Sequence, residues 1–238
     1  MVPINTEAPK GLLEVHGEPL IERQIRQLHA AGIHEIYIVV GFMKEQYEYL
    51  MDDYSVELIV NPDYAEKNNL HSLYLAREHL SNAYVIPCDI WCDQSPFRRH
   101  ELYSWYMVSD LVDNDSSVRV NRKLELTTIS ASSGGNSMVG ISYLLSKDAK
   151  IIQERLERYG KDPAYADKFW EERHCTKKGE NESFLQRIVH AANIVEINTF
   201  EQLRELDSNS NHLQSDVLEI AAEALHTHPE DISNITVL

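Results

Sequence analysis

The stretch from residue 19 to residue 60 does most to restrict how this chain can fold. It begins PLIERQIRQLHAA, in which Leu20, Ile21, Ile25, Leu28 and Ala31 recur at helical spacing until Gly32. IHEIYIVVG follows, and its run Ile36, Tyr37, Ile38, Val39, Val40 is unbroken until Gly41, the pattern of a strand covered on both faces. Met43, Tyr47, Leu50 and Met51 return to helical register, and VELIVN reads as a second short strand. Helix, strand, helix, strand is the signature of an α/β domain with a largely parallel sheet, whose ligands bind beyond the carboxyl ends of the strands.

The same reading extends down the chain. A helix over residues 70–80 leads into AYVIPCDIW, a buried strand with Asp89 where it should end. Three β-rich runs, YSWYMVSDLV, VRVNRKLELTTIS and NSMVGISYLL, are separated by turn-forming clusters at residues 113–115 and 133–136, which predicts a small antiparallel extension. Helices are expected over residues 147–159, 184–192 and 200–206, with NIVEIN as a strand between the last two. Residues 207–214 are Ser/Asn-rich and read as a linker, followed by an amphipathic helix over residues 216–225 that stops near Pro229. This divides the chain into a main domain, residues 1–207, and a linker with helix, residues 208–238.

Charge and composition exclude several classes. With Lys+Arg 22 against Asp+Glu 38, the net charge is 22 − 38 = −16, and no basic stripe is present to hold a nucleic-acid backbone. The longest strongly apolar stretch, from Ile36 to Met43, falls well short of the roughly 20 residues that cross a bilayer, so no membrane insertion is expected. Cys88, Cys92 and Cys175 cannot all pair within one chain and lack zinc spacing, which suits a reducing, cytoplasmic setting.

Lys10 stands among Pro3, Pro9 and Gly11, just ahead of a short apolar strand, where an ammonium is a point charge suited to phosphate. The pattern around it, P-x-N-T-x-x-P-K-G-L-L-x-V-x-G-x-P-L-I, resembles the second half of the signature that opens sugar-phosphate and choline-phosphate nucleotidyltransferases. NNLHSLY at residues 68–74, CDIW at residues 88–91 and Ser104-Trp105-Tyr106 make the chain similar to the phosphocholine cytidylyltransferase branch over residues 2–207. The resemblance implies a Rossmann-like three-layer α/β/α fold with a mixed sheet. It implies transfer of CMP from CTP to phosphocholine, giving CDP-choline and pyrophosphate, with Mg²⁺ as cofactor. The tail, LEIAAEALHTHPEDISNITVL, resembles the lead-in to a fused choline kinase-like domain.

The family also implies site residues. Lys10 would serve the nucleotide phosphates, and Asp89 would be the first Mg²⁺ ligand. The second ligand comes from a Glu-Ile-Asp strand end that here reads Glu196-Ile197-Asn198, so an uncharged amide oxygen replaces a carboxylate. Asn69 and Ser72 would read the base, although at a helix start both also suit capping. Trp105, Tyr106, Tyr143 and Trp170, with Glu171, Asp110 or Asp113, would enclose the quaternary ammonium through ring faces and a carboxylate. The family's first strand and Gly-rich phosphate loop would lie ahead of Met1. That departure leaves open a truncated sequence, a natural start with impaired catalysis, and a module that binds nucleotide or choline phosphate without turnover. An acceptor of another amino-alcohol or sugar-phosphate type also stays open.

Overall fold

A computed structural model describes residues 8–113, 118–120, 126–128, 134–170, 185–189, 193–207 and 216–232. The chain starts with a 3-10 turn at Lys10–Leu12 and a hairpin of β1 (Glu14–Val15) and β2 (Glu18–Pro19). The hairpin's loop residues His16 and Gly17 both have positive φ, 55° and 74°, the geometry that matches a two-residue turn to strand twist. Helix α1 (Leu20–Ala30) buries Leu20, Ile21, Ile25 and Leu28 as its spacing requires, and Gln24 with them. Then come β3 (Tyr37–Val40), a 3-10 turn at Lys44–Tyr47, α2 (Tyr49–Tyr54) and β4 (Glu57–Val60), with β3 and β4 parallel across this crossover.

Helix α3 (Asn69–Leu75) and β5 (Ala83–Val85) follow, then β6 (Ile90–Cys92), β7 (Trp105–Asp113), β8 (Val118–Val120), β9 (Leu126–Thr128) and β10 (Gly135–Leu144). The chain continues with α4 (Ser146–Tyr159), β11 (Leu185–Val189), β12 (Ile194–Glu196), α5 (Phe200–Leu206) and α6 (Asp216–Leu225). The largest sheet has the order β11-β7-β10-β5, in which β10 is antiparallel to both neighbours and β11 is parallel to β7. The sheet is therefore mixed. Of the three runs expected to form a small antiparallel extension, the first and last are β7 and β10 in the middle of this sheet, and the middle one supplies the separate hairpin β8–β9.

One element differs in kind from the sequence reading. The helix expected over residues 184–192 is instead a strand across Leu185–Val189, paired with β7 from Trp105 to Ser109. Ile188 and Val189 are β-branched, and the open edge of β7 supplies a ladder that outweighs a weak local helical pattern.

The sheet separates two apolar clusters. Leu70, Leu73, Tyr106, Leu144, Ile152 and Trp170 pack on the side of α3 and α4, and Phe97, Trp105, Met107, Ile141 and Tyr143 pack on the other. A third cluster joins Leu13, Trp91, Ile197 and Leu203 to Ala222 and Ile232, so α6 packs back onto the elements that carry the chain's start. Arg204 adds to this by donating to the carbonyl oxygens of Pro229 at 2.9 Å and Ile232 at 3.0 Å. The linker residues 208–215 lie outside the described residues.

Strands β3 and β5 each pair on one side, β3 with β4 and β5 with β10. Among the described residues neither has a strand on its other edge. Both edges line one cavity of about 1060 Å³, walled by Ile21, Ile25 and Leu28 of α1 and by Leu73 and Leu80.

Gly140 interrupts β10 where its register against β7 shifts, at φ 88°. A Cβ there would lie 2.6 Å from Pro87 Cγ, so only glycine lets the segment leading to Asp89 close over the strand. Gly140→Ala is expected to cost about 2–3 kcal/mol, from the left-handed conformation plus the overlap. A lowered midpoint in denaturant unfolding checks this, and an unchanged midpoint would mean that Pro87 moves aside at no cost.

Candidate active site

Three segments converge on one cation. Pro9 holds an extended approach, the 3-10 turn follows it, and Lys10 Nζ reaches both Asp89 Oδ2 and Asn198 Oδ1 at 3.2 Å. The turn is anchored beneath by Tyr47, whose buried hydroxyl accepts from the Gly11 backbone N–H and whose ionisation is pushed up by burial. A side chain at residue 11 would meet that hydroxyl at 3.0 Å.

Asp89 and Asn198 are neighbours because β6 and β12 are antiparallel partners. Glu196 lies opposite Ile90, and the Ile197 N–H donates to the Asp89 carbonyl at 2.9 Å, which sets the two following and preceding side chains at one end of the ladder. Asn198 is steadied by Gln202, whose side chain accepts from the N–H groups of Asn198 and Thr199 at 2.7 and 3.0 Å in a capping box. The Asp89 segment is clamped from α1, where Gln24 Nε2 donates to the carbonyls of Pro87 and Ile90, both at 2.9 Å. Gln24 and Tyr47 carry no motif. The available signal for Gln24 is a polar residue set among the apolar positions of an amphipathic helix.

Cys88 opens into the cavity beside Asp89, and its thiol is pushed up to about 12 by desolvation between the walls and by the adjacent carboxylate. Cys92, buried in β6, is pushed up to about 12 by desolvation too. Both are free, and Cys175 is outside the described residues.

Asn69 and Ser72 line the same cavity as Asp89. Asn68 caps α3, which leaves Asn69 free of that task, and its Oδ1 accepts from the Trp170 backbone N–H at 3.0 Å. The start of α3 and the segment bearing Trp170 are thereby tied together. His71, buried on the same helix, braces the surroundings through Asp63 Oδ2 and the Gly160 carbonyl, each at 3.2 Å.

The expected aromatic enclosure is divided. Tyr106 and Trp170 pack together, ring centroids 6.2 Å apart, on the α3 side of the sheet, and both reach the cavity. Tyr143 also lines the cavity but belongs to the opposite face, directly across from Trp105 in the ladder and packed on Tyr84. Trp105 is not on the cavity. It is buried under the Arg187 guanidinium, 5.1 Å from its ring centre. Asp110 and Asp113 lie farther along β7, away from the cavity, and Glu171 is outside the described residues. Phe169, half-exposed at the rim beside Trp170, is an aromatic that the sequence reading did not assign.

Comparisons with known proteins bear on the family and the fold. Residues 5–101 match the model of the MobA-like NTP transferase domain. The choline-phosphate cytidylyltransferase of Streptococcus pneumoniae is 30% identical over 208 residues, spanning 86% of this chain and 90% of the relative. The 2-aminoethylphosphonate cytidylyltransferase of Lancefieldella rimae is 32% identical over 187 residues, 72% and 73% of the two chains. The solved structure of the S. pneumoniae CTP:phosphocholine cytidylyltransferase LicC superposes with a TM-score of 0.80 at 29% identity, covering 88% of this chain and 92% of that one. Lys10, Asp89 and Asn198 thus meet at the end of a nucleotidyltransferase sheet, and the chain belongs to the phosphocholine cytidylyltransferase branch of the nucleotidyltransferase family.

Proposed function

We propose that this chain transfers CMP from CTP to phosphocholine, with Mg²⁺ as its cofactor. The observation that carries the reading is the meeting of Lys10 with Asp89 and Asn198 beside a cavity that Asn69, Ser72, Tyr106 and Trp170 also line. The acceptor phosphate is largely ionised at neutral pH, so it needs no base. One of its oxygens forms a bond to the α-phosphorus of CTP, the bond from that phosphorus to the bridging oxygen breaks, and the electron pair leaves with pyrophosphate. Lys10 offsets the charge on the phosphates, and Gln24 with the β6–β12 ladder holds Asp89 and Asn198 in place so that the site needs little rearrangement.

The donor set suits Mg²⁺. A carboxylate and an amide oxygen already share one cationic atom, and hard oxygen donors of this number suffice when substrate phosphates and water complete the shell. Bound there, the ion would neutralise phosphate charge. Because Asn198 brings no charge, Asp89 is the sole anionic donor of the pair.

Pyrophosphate release from CTP and phosphocholine with Mg²⁺ tests the reading. Release that depends on all three supports it, and no release with phosphocholine or CTP still bound replaces it with a binding module. A second acceptor class merits the same assay because a relative of similar identity is a 2-aminoethylphosphonate cytidylyltransferase. Aromatic faces favour a quaternary over a primary ammonium, and Tyr106 and Trp170, although largely buried, both border the cavity. Faster turnover of 2-aminoethylphosphonate than of phosphocholine would reassign the acceptor.

A further inference from the structure

We infer that Asn61 is a positioning residue that sets the base preference of the cavity by fixing the Ser72 hydroxyl as a hydrogen-bond donor, an inference that rests on reading the cavity as a CTP site. Asn61 follows β4 directly and is buried at 3% exposure, its N–H donating to the Val40 carbonyl at 2.7 Å. The orientation of its amide is dictated by its surroundings. The Asp63 backbone N–H points at one side-chain atom from 2.9 Å and requires an acceptor, which makes that atom Oδ1. Nδ2 is then the atom that faces Ser72, and it donates to Ser72 Oγ at 3.1 Å.

A serine hydroxyl has one proton to give and two lone pairs to receive with. Asn61 occupies a lone pair, and among the described residues no hydrogen bond takes the hydroxyl proton. Ser72 lines the cavity, so the proton is available to a ligand there. The chemistry that this matches is an unprotonated ring nitrogen. Cytosine presents N3 as an acceptor and takes the hydroxyl proton, whereas uracil carries a proton at N3, can use only the remaining lone pair, and leaves the hydroxyl proton without a partner. An asparagine at this place does something an aspartate would not. Either can accept from the Asp63 N–H, but only the amide also donates to Ser72.

Asn61→Asp, studied at pH 8 in the full chain, keeps shape and the acceptor for Asp63 while turning the donor toward Ser72 into an acceptor that draws the hydroxyl proton away. Equilibrium binding of CTP and of UTP is the measurement. The CTP preference over UTP is expected to fall about tenfold, the size of one hydrogen bond in a ligand site. Ser72→Ala should lose a similar preference, and Asn61→Asp should add nothing in the Ser72→Ala background. A merely structural role would weaken both nucleotides alike, and that result, or an unchanged preference, overturns the inference. If Asn61→Asp does not fold, Ser72→Ala decides alone, with a retained preference as the overturning result. If the unaltered chain binds no CTP, the reading of the site falls and the inference falls with it. Binding of CTP with an unaffected preference removes only the role of Asn61.

Discussion

Lys10→Ala is expected to lower the turnover of CTP and phosphocholine by about 10²–10³-fold with little change in the KM for phosphocholine. The protein carries a net charge of −16, so a tetra-anionic nucleotide approaches against the overall field and depends on cations placed locally. Lys10 is such a cation, held by two oxygens at 3.2 Å and one-third exposed, so its removal leaves no buried gap. The fold should persist, with thermal unfolding close to that of the unaltered chain. Lys10→Arg should restore little, because a planar guanidinium cannot take the place of a compact ammonium between Asp89 and Asn198. Steady-state rates at saturating Mg²⁺ measure the effect, and a rate within threefold of the unaltered chain would remove Lys10 from the chemistry.

The second large effect is expected at Asp89. Asp89→Ala should lower kcat/KM by about 10²-fold or more, and it should raise the Mg²⁺ concentration needed for half-maximal rate. The reason lies at its partner. Where Asn198 supplies only a dipole, Asp89 carries the whole negative charge of the pair, and there is no second carboxylate in the pair to compensate. Asp89→Asn separates charge from shape, since it keeps an oxygen beside Lys10 and should still lose most of the activity. A Mg²⁺ titration on each variant is the measurement. An unshifted half-maximal concentration would show that the ion is held without Asp89.

Much of this site was legible before the structure. A lysine in a proline- and glycine-bounded turn and an acid beside an apolar strand pointed to Lys10 and Asp89, the family resemblance added Asn198, and the three meet at one end of the β6–β12 ladder. Trp105 and Tyr106 show where the reading went too far. Adjacent residues on a strand face opposite ways, so one strand cannot turn both rings into one enclosure, and Trp105 lies buried on the other face. The strand Leu185–Val189 was hidden for a different reason. Its partner, β7, lies some 80 residues earlier, and local periodicity carries no trace of that edge. The roles of Tyr47 and Asn61 leave no trace in the sequence, and Gln24 shows only as a polar residue among apolar helix positions, because each works through a hydrogen bond to a residue remote or displaced in sequence.

The packing of α6 has a consequence for the site at the other end of the described chain. Ile197, the residue before Asn198, is buried in one cluster with Leu203 of α5, Ala222 of α6 and Ile232. Contacts that hold α6 in place therefore also hold the strand end that presents Asn198, and segments joined in this way open together. Amide exchange in β12 and in α6 should slow in step when a ligand orders the site.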